Sequence, residues 1–277
     1  MSTVAKRAVA LFLSSHPLPC LAVALFSGLF SIGAGVSLSH SLVVFLAMLL
    51  QQISVGLSND WLDHRRDVAA RRTDKPTVKG LVTLAELRFW SITAAVFAVI
   101  TAAAMGLGAS LLMLLMLAVG WAYNLGMKSN WSSAIPYAVG FGIVPIFVGL
   151  AAPEPFWVQN WVVLVSGLLG VSAHFANVLP DIDEDKLTGV NALPHLLGQR
   201  ISSLVIASTA AAATLLVVTQ SQSLHPLAAW VGLVATLTLV GIASGLALRK
   251  KPPRVIFPLL IAASLVNVIL LVLGGAK

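Results

Sequence analysis

Apolar stretches long enough to cross a bilayer recur along this chain and limit its folding more than any other feature. A spanning helix needs about 20 mostly apolar residues for a hydrocarbon core about 30 Å thick. Nine stretches meet that need, at 17–36, 40–60, 88–106, 109–126, 132–152, 158–179, 201–220, 226–248 and 254–274. Short polar or Gly/Pro-containing links join them. The predicted fold class is therefore all-α, a polytopic nine-transmembrane-helix bundle, with residues 1–277 forming a single transmembrane domain. Composition agrees, since 58% of the 277 residues are hydrophobic and only 10% are charged, far from the usage of a water-soluble domain.

The formal net charge is +7, and its placement excludes a nucleic-acid partner in favour of the lipid bilayer. Lys6 and Arg7 precede the first span, and Arg65, Arg66, Arg71, Arg72, Lys75, Lys79 and Arg88 crowd the link between the second and third. Lys128, then Lys186 and Arg200, then Arg249, Lys250, Lys251 and Arg254 follow the fourth, sixth and eighth spans. The alternate links carry no Lys or Arg. Basic residues mark cytoplasmic loops, so the expected topology has the N-terminus inside and the C-terminus, with Lys277, outside. A basic start before an apolar run also opens a signal peptide, but no small-x-small cleavage site precedes a soluble domain here. The single cysteine, Cys20, lies within the first span and reads as a packing residue.

Ten acidic residues are present, and eight fall in two short segments: Asp60, Asp63, Asp67 and Asp74, then Asp181, Asp183, Glu184 and Asp185. Carboxylates beside apolar spans are costly unless they pair with cations, which makes both segments functional candidates. The segments also match. Asn59-Asp60-Trp61-Leu62-Asp63-His64-Arg65-Arg66-Asp67 and Asn177-Val178-Leu179-Pro180-Asp181-Ile182-Asp183-Glu184-Asp185 both follow N-x-x-x-D-x-x-x-D, each at the cytoplasmic end of an even-numbered span. The repetition suggests a pseudo-repeat, with one site built between two halves. Spacing of i, i+4 and i+8 keeps each triplet on one helical face, drifting about 40° per step. Pro180 allows another outcome for the second triplet, on an unwound end or a new helix. Asp and Asn oxygens without clustered Cys or His suit a hard cation such as Mg²⁺, which takes carboxylates, water and phosphate oxygens together.

These residues resemble the UbiA superfamily of intramembrane prenyltransferases. The first segment is similar to that family's N-D-x-x-D-x-x-x-D signature, and the second to its D-x-x-x-D signature with the tail from Thr188-Gly189 to Leu196-Leu197-Gly198. Thr73-Asp74-Lys75-Pro76 through Gly80 resembles the basic-Pro segment after the first signature, and Tyr123 with Lys128 resembles a tyrosine-then-basic element near the substrate. The resemblance covers essentially the whole chain. It implies a central cavity open toward lipid, capped by the links after the second and sixth spans. It also implies Mg²⁺ and diphosphate held by Asn59, Asp63, Asp67, Asp181 and Asp185, then by Asp60 and Asn177. Asp183 and Glu184 lie off the repeat. His16-Pro17 stands where many members carry Arg-Pro beside the acceptor, so a permanent charge has become a titratable one. That weakens the case for an acidic aromatic acceptor.

The implied chemistry is transfer of a prenyl group from an allylic isoprenoid diphosphate to a lipophilic or aromatic acceptor. Asp63, Asp67, Asp181 and Asp185 are its catalytic core, and Arg71, Arg72, Lys75, Lys128 and Lys186 its diphosphate partners. Tyr123 and His16 are expected in the substrate cavity. Trp61, Trp121, Trp131 and Phe175 lie near the same end, where an interfacial aromatic belt accounts for them equally well. A terpene cyclase keeps the same metal site but needs no acceptor. A transporter would place its acids in mid-span, and the acids here sit at span ends.

Overall fold

The structure, a computed structural model, describes residues 3–182, 185 and 189–275, so the expectations placed on Asp183, Glu184, Lys186 and Lys277 lie outside the described residues. Its helices are α1 (Thr3–Ser14), α2 (Pro17–Gly33), α3 (Leu38–Ala69), α4 (Leu84–Ala103), α5 (Leu107–Leu125), α6 (Ile135–Ala151), α7 (Asn160–Val178), α8 (Leu193–Gln220), α9 (Pro226–Ala247) and α10 (Ile256–Leu273). No strand occurs among the described residues. Hydrocarbon offers no partner for backbone N–H and C=O groups, and a helix satisfies them within itself. Among the described residues, eight helices, α3 to α10, are long and apolar enough to span a membrane, and α2 makes a ninth span with α1, from which it bends by 63°. The chain is an integral membrane protein.

Each helix packs beside its chain neighbours, α3 also meets α5, and α10 returns to α2, closing the bundle around a common core. Met48, Met113, Phe147, Val162, Val217 and Leu271 fill that core. Ala24, Ala47, Ala98, Ala109, Ala151 and Ala213 are fully buried in it. Lipid tails are as apolar as leucine, so helices gain by close packing rather than by escape from solvent, and small residues allow that approach. Leu46, Phe97, Leu114, Leu164, Leu204 and Val234 point outward, toward acyl chains. An apolar cavity of about 50 Å³, bordered by Phe26, Phe30, Phe141, Val144, Leu169 and Val268, lies inside the bundle.

Three local features differ from the sequence expectation and shape the polar end. The residues around Lys6 and Arg7 form a helix of their own, α1, rather than a simple lead-in. The second span does not stop at residue 60, because α3 continues to Ala69 and carries the whole first motif on unbroken helix. α8 starts at Leu193 rather than near 201, with a kink at Gly198 (φ 77°, ψ 170°), a backbone conformation suited to glycine. The break between α1 and α2 sits at Ser15 and His16, where His16 adopts φ 56° and Pro17 opens α2. This break is seated directly on α3 at Gly56. A Cβ at Gly56 would stand 2.2 Å from the Ser15 carbonyl oxygen, so only glycine admits the crossing.

Gly56→Ala is therefore expected to destabilise the protein by about 1–3 kcal/mol, the usual cost of overpacking. Gly245→Ala, where nothing lies within 4 Å of the added Cβ, serves as the control. Thermal unfolding in detergent checks this, and equal melting temperatures for the two variants would contradict the seating of the break on α3.

Candidate functional site

The polar end is built first on α3, whose continuous helix sets Asn59, Asp63 and Asp67 one turn apart. The Asn59 amide donates to Asn124 Oδ1 at 3.0 Å, and Asn124 donates to the Val55 carbonyl and to Ser58 Oγ, each at 2.8 Å. That bracing fixes α3 against α5. Asp63 accepts from Lys128 Nζ at 2.5 Å through Oδ2, while Arg66 Nη1 lies 3.5 Å from its Oδ1. Lys128 comes from the short 3-10 turn Met127–Ser129 after α5 and is buried. Burial lowers the pKa of its ammonium, and the Asp63 carboxylate opposes that shift. Arg66 also donates to Ser129 Oγ at 3.2 Å, so the α5–α6 connection is tied to α3 at two points.

Asp60 leaves the same helix within about 20° of Asp67, seven residues on. It is 1% exposed, and its Oδ1 accepts from His16 Nε2 at 2.9 Å and from Lys75 Nζ at 2.5 Å. His16 thus joins the acid cluster directly, together with the loop after α3. Two carboxylate oxygens here, Asp60 Oδ2 and Asp67 Oδ2, are buried with no hydrogen-bond partner. Asp67 also feels the charges of Asp60, Asp63, Lys75 and Arg72.

The second motif folds differently from the first. α7 ends at Val178, and Pro180 lies in a 3-10 turn, Leu179–Asp181, so the second triplet is not carried on one unbroken α-helix as the first is. Asn177 is exposed in the last turn of α7. Asp181 sits between two guanidiniums, with Arg72 Nη1 3.5 Å and Arg254 Nη2 3.3 Å away. The same arginines hold Asp74: Arg72 donates from Nε and Nη2 at 3.1 and 3.2 Å, and Arg254 Nη1 lies at 3.5 Å. The Arg72 hydrogen bond leads in drawing the Asp74 pKa down to about 2. Asp185 Oδ2 lies 3.5 Å from His195 Nε2. The two acidic segments meet at Arg72, which pairs with Asp74 just after the first motif and with Asp181 in the second.

An aromatic wall stands below the acids. Tyr123 meets Tyr137 edge-on at 5.3 Å, and Tyr137 meets His174 at 4.9 Å. His174 is fully buried, with Nε2 3.0 Å from Ser133 Oγ, a hydroxyl that accepts from the Leu193 N–H at 2.9 Å.

Among the expected diphosphate partners, Arg72, Lys75 and Lys128 all engage site carboxylates. Arg71 is exposed, at φ 52°, and forms no ion pair among the described residues. Sequence reading missed Asn124, Arg66, Tyr137, His174 and Ser133, and took Arg254 only as a topology marker. Asn124 carried a signal, as an amide within an apolar span. Arg66 lies inside the first motif but reads there only as a topology marker, His174 stands three residues before the second motif, and Ser133 and Tyr137 lie far from both in sequence.

No three His, Cys, Asp or Glu side chains among the described residues are grouped closely enough to share one ion. Each paired acid is instead neutralised by a base. The donor set still fits a hard divalent cation, because the unpartnered Asp60 and Asp67 oxygens are buried acceptors with no thiol beside them.

Digeranylgeranylglyceryl phosphate synthase of Methanothrix thermoacetophila is 28% identical over 175 residues, covering 62% of this chain and 64% of that protein, just under two thirds of its length. An apo UbiA homologue from Aeropyrum pernix K1 superposes with a TM-score of 0.76 at 20% identity, covering 90% of this chain and 94% of that one. A UbiA homologue from Archaeoglobus fulgidus bound to DMAPP and Mg²⁺ superposes with a TM-score of 0.71 at 16% identity, covering 95% and 97%. The family model for UbiA prenyltransferases matches residues 20–272, and the chain belongs to the UbiA prenyltransferase family.

Proposed function

We propose that this protein transfers a prenyl group from an allylic isoprenoid diphosphate to a lipophilic acceptor, in a Mg²⁺-dependent reaction at the polar end of the bundle. The observation that carries this reading is the pair of buried, unpartnered carboxylate oxygens on Asp60 and Asp67, set among Lys75, Lys128, Arg66 and Arg72. Such a site suits a divalent cation and a polyanion together, since the acids take the cation and the bases take phosphate oxygens. Solved relatives carry DMAPP or GPP with Mg²⁺, which supports the same ligand class here.

Asp60, Asp63, Asp67, Asp181 and Asp185 would hold the metal, with Asn59 and Asn177 as neutral oxygen donors. When bound, Mg²⁺ supplies positive charge that neutralises the departing diphosphate. The chain does the rest. Lys128, Lys75 and Arg72 bind phosphate oxygens and stabilise the charge that grows as the allylic C–O bond breaks. Tyr123 and Tyr137 offer ring faces to the allylic cation. The apolar interior takes the isoprenoid tail and excludes the water that would quench the cation.

Of a lipophilic or an aromatic acceptor, a polar-headed lipid has more support than an acidic aromatic. His16 hydrogen-bonds Asp60 and so offers no free permanent cation to an aromatic carboxylate. The name of the Methanothrix relative, a synthase of a prenylated glyceryl phosphate, supports the same choice. The cap faces the cytoplasm, with the N-terminus inside and the C-terminus outside, as the Lys/Arg alternation supports.

Three outcomes are expected. Asp67→Asn keeps the side-chain shape but removes the charge, and kcat/KM for diphosphate release should fall about 100-fold or more. Asp181→Asn should do likewise, and the double variant should be only slightly worse than the worse single one, as for groups acting as a unit. Multiplicative losses would mean two independent sites. With geranyl diphosphate and Mg²⁺, turnover should require an added lipid acceptor, whereas a hydrocarbon product formed without one would favour the cyclase. Single cysteines introduced at Lys79 and Glu154 should react with impermeant reagents from opposite sides of the membrane, and labelling from the same side would break the topology.

A further inference from the structure

Outside the acid cluster, α3 and α4 enclose an open groove of about 490 Å³, lined by Trp61, Leu84, Ala85, Arg88, Phe89 and Ile92. Ala85, Arg88, Phe89 and Ile92 follow i, i+3, i+4 and i+7 spacing and so form one face of α4. Leu84, Phe89 and Ile92 are 38%, 60% and 43% exposed, so the floor is apolar and uncovered. Arg88 closes the polar end. Its guanidinium carbon lies 5.6 Å from the centre of the Trp61 ring, and it makes no ion pair among the described residues. The nearby acid, Glu86, is occupied by the Thr83 cap and by Arg7 at 3.8 Å. One guanidinium at the head of the groove therefore lacks a counter-charge.

This groove is not the reaction site. With about 100° per residue, Trp61 lies about 160° around α3 from Asp63 and about 120° from Asp67. The capping box of Thr83 and Glu86 marks the first turn of α4, so the groove begins at the helix start and runs into the apolar span. Charge at one end and hydrocarbon along the rest match the order of groups in a phospholipid.

We propose that the α3–α4 groove binds one anionic membrane phospholipid, its phosphate on Arg88 beside Leu84 and Ala85 at the helix start and one acyl chain running inward along Phe89 and Ile92. A guanidinium presents a planar fork to phosphate oxygens, and its cation–π contact with the Trp61 ring at 5.6 Å preorganises the donor. The groove has the volume of a small-molecule site. Trp61 also packs edge-on against Trp121 at 6.1 Å, and the Trp121 indole donates to Ser54 Oγ at 3.2 Å. A lipid seated on Trp61 thus braces the corner where α3, α4 and α5 meet.

The test is native mass spectrometry of the full chain in mild detergent, titrated with phosphatidylglycerol or phosphatidylcholine of identical acyl chains. The wild type should retain phosphatidylglycerol about fivefold more tightly, the worth of one basic residue beside an anionic headgroup. Arg88→Gln should bring the two lipids to parity, while Arg88→Lys should keep the preference and so separate loss of charge from misfolding. Ala85→Phe fills the apolar floor and should weaken both lipids, and Lys79→Gln, an exposed loop cation, should change nothing. Equal retention by the wild type, a preference that survives Arg88→Gln, or full binding by Ala85→Phe would overturn the proposal. Displacement of the lipid by glycerol 1-phosphate alone would also overturn it, revealing a phosphate site without a lipid groove.

Discussion

A carboxylate at the edge of a hydrocarbon core needs positive charge close by, and this bundle draws that charge from connections far apart in the chain. His16 at the α1–α2 break and Lys75 after α3 meet on Asp60. Lys128 after α5 meets Asp63, and Arg254 after α9 joins Arg72 on Asp74 and Asp181. A buried charge left alone costs several kcal/mol, about 3–5 when one partner of a pair is removed. The acids therefore hold the polar connections together as much as the connections hold the acids. The apolar core below sets where the helices stand, and the ion pairs set how their ends meet.

The same pairs account for the chemistry proposed for the site. A diphosphate and a divalent cation bring opposite charges, so they can enter a lattice of acids and bases by exchanging partners without leaving charge uncompensated. Asp60 and Asp67 each keep a buried carboxylate oxygen with no hydrogen-bond partner. Lys128, 8% exposed at its side chain, is shielded enough for its charge to act strongly on an anion.

The two acidic motifs, so alike as sequence, are handled unequally by the fold. α3 runs unbroken through the first, and Asn59 is clamped by Asn124. Pro180 ends the matching arrangement in the second, leaving Asn177 exposed and turning Asp181 toward Arg72 and Arg254. One side of the site is unbroken α-helix, and the other passes through a 3-10 turn. That asymmetry follows from proline's missing N–H and its clash with the preceding helical turn.

The sequence by itself determined the spans and both acid clusters, because hydrophobic runs and intramembrane carboxylates are local signals that survive without tertiary context. It also marked Lys75, Lys128 and Arg72 as candidate partners, on charge and proximity to the motifs. Tertiary structure decided which base meets which acid. Arg254 lies 73 residues from Asp181 in the chain and His16 lies 44 from Asp60, and nothing in local spacing encodes either contact. The aromatic wall and the Arg88 groove are likewise products of helix packing. Their residues look like ordinary belt and loop positions until neighbouring helices bring them together. Periodicity fixes which way a side chain leaves its own helix, and only the arrangement of the other helices fixes what it meets.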